Sequence, residues 1–243
     1  MTAELAARFA GSLAALGLGL LLLARGRYAR LGGLGAWAAG MALFVPFLAP
    51  RGSALLVVAG GAAGLAAAVA LAVVFRRWPW ALPLVALATV PVRVPVSVDG
   101  TSASLLLPLY AVVAGAALAL AWGLWRDEAR SRELGPLAWP LALLVAWLAL
   151  SALWTGDLRE GAITLFFFVL PFSVLALALA RLPWYERATV RLYGLLAAIA
   201  LLAAAVGLWQ WLTRDIFWNP RIIVGNAYAP FYRVNSIFWD PSI

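Results

Sequence analysis

The chain has 243 residues, of which 65% are hydrophobic and 12% charged. A soluble domain averages about half apolar and about a quarter charged, so no water-soluble core of this size could hide so much apolar surface, and an integral membrane protein is implied. The formal net charge is +8, every basic side chain is arginine, and Cys and His are absent, which excludes disulfides, thiolate or imidazole metal ligation and Ser-His catalysis among these residues.

A helix crossing roughly 30 Å of hydrocarbon needs about 20 apolar residues. By that measure eight spans are expected, near 7–24, 33–49, 53–75, 78–92, 103–125, 136–154, 161–180 and 191–213. The start, Met1-Thr2-Ala3-Glu4, has no basic segment of the signal-peptide kind, and its apolar run continues into further spans. The fourth span is short and holds Pro83 and Pro91. Pro171 lies inside the seventh and should kink it, leaving a carbonyl for a neighbouring helix to satisfy. The expected fold is all-α: a polytopic transmembrane helix bundle over residues 1–213, with 214–243 opening an extracytoplasmic loop that the sequence leaves truncated.

The arginines set the orientation. Arg25, Arg27 and Arg30, then Arg76 and Arg77, then Arg126, Arg130 and Arg132, then Arg181, Arg187 and Arg191 fall in alternate loops; the remaining short loops hold Arg51, Arg93 and Arg159. The positive-inside rule places the first set in the cytoplasm, and the N-terminus and everything after Thr213 outside. Arginines interleaved with apolar spans address lipid headgroups, not nucleic acid. Trp78, Trp80, Trp125, Trp154, Trp184, Trp209 and Trp211 lie near span ends, where interfacial anchoring accounts for them.

Two outside segments carry candidate chemistry. In the first, Pro91-Val92-Arg93-Val94-Pro95 favours extended backbone, Asp99-Gly100 a turn, and Thr101 or Ser102 a cap for the next helix. Arg93 either touches lipid phosphate at the interface or meets a diphosphate at the mouth of a cavity. The second, 214–243, sets Arg214, Arg221 and Arg233 among aromatic residues and ends in Arg233-Val234-Asn235-Ser236-Ile237-Phe238-Trp239-Asp240-Pro241. The planar guanidinium fork can hold two phosphate oxygens at any pH. Arg233 is the leading candidate, with Arg93 and Arg221 beside it; a solvated loop arginine is the plain alternative for each. Asp157, Arg159 and Glu160 share one short loop and read as solvated, with a catalytic or metal role as the alternative. There is no Asp-x-Asp, no glycine-rich phosphate loop and no charge in mid-span, which weakens nucleotide-sugar and proton-coupled readings.

The Arg-x-x-Ser-x-Phe-x-x-Pro pattern at 233–241 resembles the signature of the bacterial O-antigen ligase family, which includes polymerase-like members. Val92-Arg93-Val94-Pro95-Val96, followed by Thr101-Ser102-Ala103-Ser104-Leu105-Leu106-Leu107-Pro108-Leu109-Tyr110, is similar to an early segment of that family. The resemblance implies a membrane-embedded glycosyltransferase in the bacterial inner membrane. Such an enzyme moves a glycan from an undecaprenyl-diphosphate carrier to a glycan or lipid acceptor on the outer side, without metal or other cofactor. It implies a diphosphate contact and a catalytic part for Arg233. The family's usual base is a later histidine that has no counterpart here, so residues 1–243 alone are expected to transfer no sugar. A transporter or flippase of lipid-linked saccharides is the alternative; no inverted repeat is visible to support it.

Overall fold

The computed structural model describes residues 3–48, 54–98, 101–128, 134–151, 154, 161, 164–182, 184–216, 220–228 and 232–238. In chain order these form α1 (Ala3–Leu23), α2 (Arg27–Leu48), α3 (Ala54–Arg77), α4 (Ala81–Thr89), β1 (Val94–Val98), β2 (Thr101–Leu105), α5 (Leu107–Trp125), a 3-10 turn (Gly135–Leu137), α6 (Ala138–Ser151), a π-turn (Leu165–Val169), α7 (Leu170–Ala180), α8 (Glu186–Thr213) and α9 (Pro220–Tyr228). Among the described residues the architecture is helical apart from one antiparallel hairpin, β1 with β2. The chain divides into two compact units, residues 1–82 with 110–183, and residues 83–109 with 184–243.

Apolar runs become helices close to where the sequence puts them, with two corrections. α4 has nine residues, about 14 Å at 1.5 Å per residue, and falls short of a crossing. Residues 103–105 belong to β2, and Thr101 and Ser102 pair with Val98 and Ser97 instead of capping a helix. Among the described residues three helices are long and apolar enough to cross a membrane: Gly60–Arg77 within α3, α5, and α8. Eight full spans are not reached among the described residues.

In the first unit, glycine lets α1 and α2 touch backbone to backbone. A Cβ added at Gly33 would lie 2.6 Å from the Gly17 carbonyl oxygen, and one at Gly40 would lie 2.6 Å from that of Ala10. Small residues allow such approach where lipid offers helices no hydrophobic drive to associate. The pairing of 17 with 33 and 10 with 40 makes the two helices antiparallel. Gly33→Ala should therefore lower stability by on the order of 1–3 kcal/mol, as overpacking does. Gly19→Ala is the control, because nothing lies within 4 Å of a Cβ there. Thermal unfolding in detergent measures both; equal melting temperatures would dismiss the close approach.

At Gly115 an added Cβ would meet Leu71 Cβ at 2.7 Å, and Gly123 lies near the Arg76 guanidinium. α3 and α5 therefore run in the same direction. The ends of these helices are joined by charge. Arg76 holds Glu128 through both guanidinium nitrogens at 2.8 and 2.7 Å. Arg27 pairs with Asp127 at 3.2 Å, and Arg181 Nη2 donates to the Glu128 carbonyl at 3.4 Å. Asp127 sits at φ 55°, a left-handed turn that Asp tolerates. All four arginine-rich loops thus send a residue to one end of this unit, as a common membrane side requires. The Arg27 pair is exposed and contributes little; the part-buried two-point Arg76–Glu128 bridge is the stronger tie.

The π-turn before Pro171 resolves the expected kink. Proline has no N–H for the carbonyl four residues back, which is that of Phe167. The Tyr110 hydroxyl donates to that oxygen at 3.1 Å, while Phe44 and Phe166 stack at 3.7 Å beside it. Leu18, Leu21, Leu170, Val174 and Leu177, all buried, complete the core. Tyr110→Phe should cost about 1–3 kcal/mol by stranding a part-buried acceptor. In a Pro171→Ala background, where a backbone N–H returns, the same change should cost less; additive losses in the double-mutant cycle would disprove the link.

Candidate functional site

In the second unit the two segments singled out in the sequence come together. α4 ends where residue 90 precedes Pro91, a position that disfavours helix. The Thr89 hydroxyl donates to the carbonyls of Val85 and Ala86, both at 2.9 Å, closing the last turn. The chain then extends through Arg93 into β1. The hairpin runs in register from Val94 opposite Leu105 to Val98 opposite Thr101.

α8 ends at Thr213, and the next residue, Arg214, takes φ 60°, the left-handed conformation common just past a helix. Its guanidinium lies 5.4 Å from the Trp211 ring centre and 4.6 Å from that of Tyr232. Burial raises the Tyr232 phenol above its ordinary pKa; Arg214 pulls the other way and Asp215 adds to the rise. The phenol therefore stays neutral throughout the physiological range.

Residues 233–238 are pinned at both ends by side-chain amides. Asn226, on α9, donates through Nδ2 to the Arg233 carbonyl at 2.9 Å and accepts the Arg233 N–H on Oδ1 at 2.8 Å. Gln210, fully buried near the end of α8, accepts the Ser236 N–H at 2.8 Å, and its Nε2 lies 3.5 Å from the Ser236 carbonyl. The Ser236 hydroxyl donates to the Ala203 carbonyl. Ser236 sits at φ 52°, and the Phe238 N–H closes the turn on the Asn235 carbonyl at 2.9 Å. The turn is thus a built element, fixed against α8 and α9.

The turn presents Ile237 and Phe238 to a cavity of about 480 Å³, whose other walls include Arg93, Pro91, Ala88 and the Leu195, Ile199 and Leu202 face of α8. It is an apolar trough with one guanidinium on its wall. Such a cavity can take a hydrocarbon chain together with an anionic head.

Arg93 and the 233–238 turn share this cavity. The Arg233 backbone is held by Asn226 while its side chain is exposed and does not line the cavity. Arg221 lies in α9, and its side chain falls outside the described residues, as do Asp157, Arg159, Glu160, Trp239, Asp240 and Pro241. Gln210 and Asn226 were not singled out by the sequence, although Gln210 is the one amide in the apolar run 191–213. A lone amide in such a run has to find a partner, and that was the signal. Comparisons with protein-family models, curated proteins and solved structures found no match to this chain.

Proposed function

We propose that this protein is an O-antigen ligase-like glycosyltransferase of the bacterial inner membrane. It would move a glycan from an undecaprenyl-diphosphate carrier to a glycan or lipid acceptor on the extracytoplasmic side. The observation that carries the reading is the meeting of Arg93 with the 233–238 turn at one apolar cavity. The carrier is itself an apolar chain joined to an anionic head, so both halves of the cavity have something to hold. The gathering of the four arginine-rich loops at one end of the first unit supports an orientation with that end in the cytoplasm.

In the reaction, the bond from the anomeric carbon to the diphosphate oxygen breaks and one to the acceptor oxygen forms. The acceptor proton leaves to a base. Negative charge grows on the departing diphosphate. A guanidinium fixed at a water-poor interface stabilises that charge more than it stabilises the bound donor. Arg93, which lines the cavity, would fill this role, with Arg233 and Arg221 as its partners.

Right-side-out vesicles carrying the full-length protein test both activity and side. Lipid-linked glycan and acceptor supplied from outside should yield transferred glycan and free undecaprenyl diphosphate. Binding and translocation of the donor without any bond cleavage would replace this reading with a transporter of lipid-linked saccharides.

A further inference from the structure

The charged end of the first unit has a chemistry of its own. Among the described residues of these loops that belong to the first unit, up to residue 183, seven arginines stand against two carboxylates, Asp127 and Glu128, and both carboxylates are engaged by Arg27 and Arg76. Arg77 and Arg126 are exposed, and neither has a carboxylate partner among the described residues. Each instead lies over a tryptophan of its own helix end, Arg77 at 5.3 Å from the Trp78 ring centre and Arg126 at 5.0 Å from that of Trp122. The rings are themselves half exposed, 58% for Trp78 and 50% for Trp122. The Arg76–Glu128 bridge joins the ends of α3 and α5, so Arg77 and Arg126 lie within two residues of the joined pair, one on each helix. Beside the bridge, a cavity of about 50 Å³ is lined by Arg76, Glu128 and Arg181 above the apolar side chains of Phe75 and Leu82.

A guanidinium laid on an indole face is weakly hydrated and oriented, and its N–H edge stays available for two phosphate oxygens. Exposed tryptophans at helix ends belong at headgroup depth. Like charges gathered at the edge of a low-dielectric region repel one another unless an anion sits among them. We infer that this end of the first unit binds the phosphate of an anionic phospholipid, with Arg77 and Arg126 as the paired contacts and Trp78 and Trp122 against the glycerol backbone. The exposed indole faces favour a lipid over free phosphate, which has no apolar part for them to cover.

The test uses delipidated full-length protein in detergent, titrated with phosphatidylglycerol or phosphatidylcholine and read by native mass spectrometry. Phosphatidylglycerol should bind in preference, and more weakly as salt is raised. The double variant Arg77→Gln with Arg126→Gln should weaken it by on the order of 10- to 30-fold, the effect of about two surface arginines. Arg187→Gln with Arg191→Gln removes the same charge from two other exposed positions and should leave binding almost unchanged. Trp78→Leu with Trp122→Leu keeps every charge and should still weaken binding severalfold; this variant decides the matter if the arginine pair does not fold. Equal affinity for the two lipids, equal losses in the two arginine pairs, no loss in the tryptophan pair, or displacement of the lipid by millimolar inorganic phosphate would each overturn the assignment.

Discussion

Arg93→Ala is expected to lower glycan transfer by on the order of 10²-fold or more at matched membrane abundance, as loss of a charge-assisted contact in a partly desolvated site does. Arg93→Lys retains the charge but loses the planar fork, so it should recover only part of the rate. Arg233→Ala should also fall steeply, yet by less than Arg93→Ala, because the Arg233 side chain is exposed and off the cavity wall. Transfer measured with lipid-linked glycan as donor ranks the two. Near-normal rates for both variants would leave these arginines as interfacial anchors and remove the cavity from the reaction.

The second large effect is expected at a residue that touches no substrate. Gln210→Leu keeps the apolar volume of α8 but strands the Ser236 N–H, at a cost of about 1–3 kcal/mol for a buried unpaired donor. The turn carrying Ile237 and Phe238 would then leave its place on α8. Transfer should drop on the order of tenfold or more while the protein remains helical, and protease cleavage within 232–238 should accelerate. Asn226→Ala should release the other end of the same turn, with a smaller loss because that pair of hydrogen bonds is exposed. A Gln210→Leu protein with normal transfer and an uncut turn would show that the amide does not position the site.

The sequence was legible where one physical quantity decides the outcome. Runs such as 7–24 and 191–213 are too apolar for water and too long for strands, and they appear as α1 and α8. The alternation of arginine-rich and arginine-poor loops translated into contacts, since Arg27, Arg76 and Arg181 all reach the Asp127–Glu128 turn. Legibility failed where two local options are close in free energy. Val94, Val96 and Val98 alternate ahead of Asp99-Gly100, a pattern that favours a hairpin. Thr101 and Ser102 can cap a helix as readily as they can pair with a strand, and the partner strand decides between them. Arg233 drew attention through its charge. The amides that fix its turn did not: Asn226 holds the Arg233 backbone from seven residues away and Gln210 holds that of Ser236 from 26 residues away, and an uncharged amide gives no sign in the sequence of which backbone it will meet.

The close approach of α1 and α2 has a consequence for biogenesis. Its contacts, Gly17 with Gly33 and Ala10 with Gly40, join residues that are near in sequence, and such contacts form fast and early. The pair needs no later segment in order to close. It can therefore enter the bilayer as a preassembled hairpin while the rest of the chain is still being synthesised, a local cooperative unit in its own right. α6 and α7, which pack on α1, would then add to a surface already in place, so the order of assembly follows the order of synthesis.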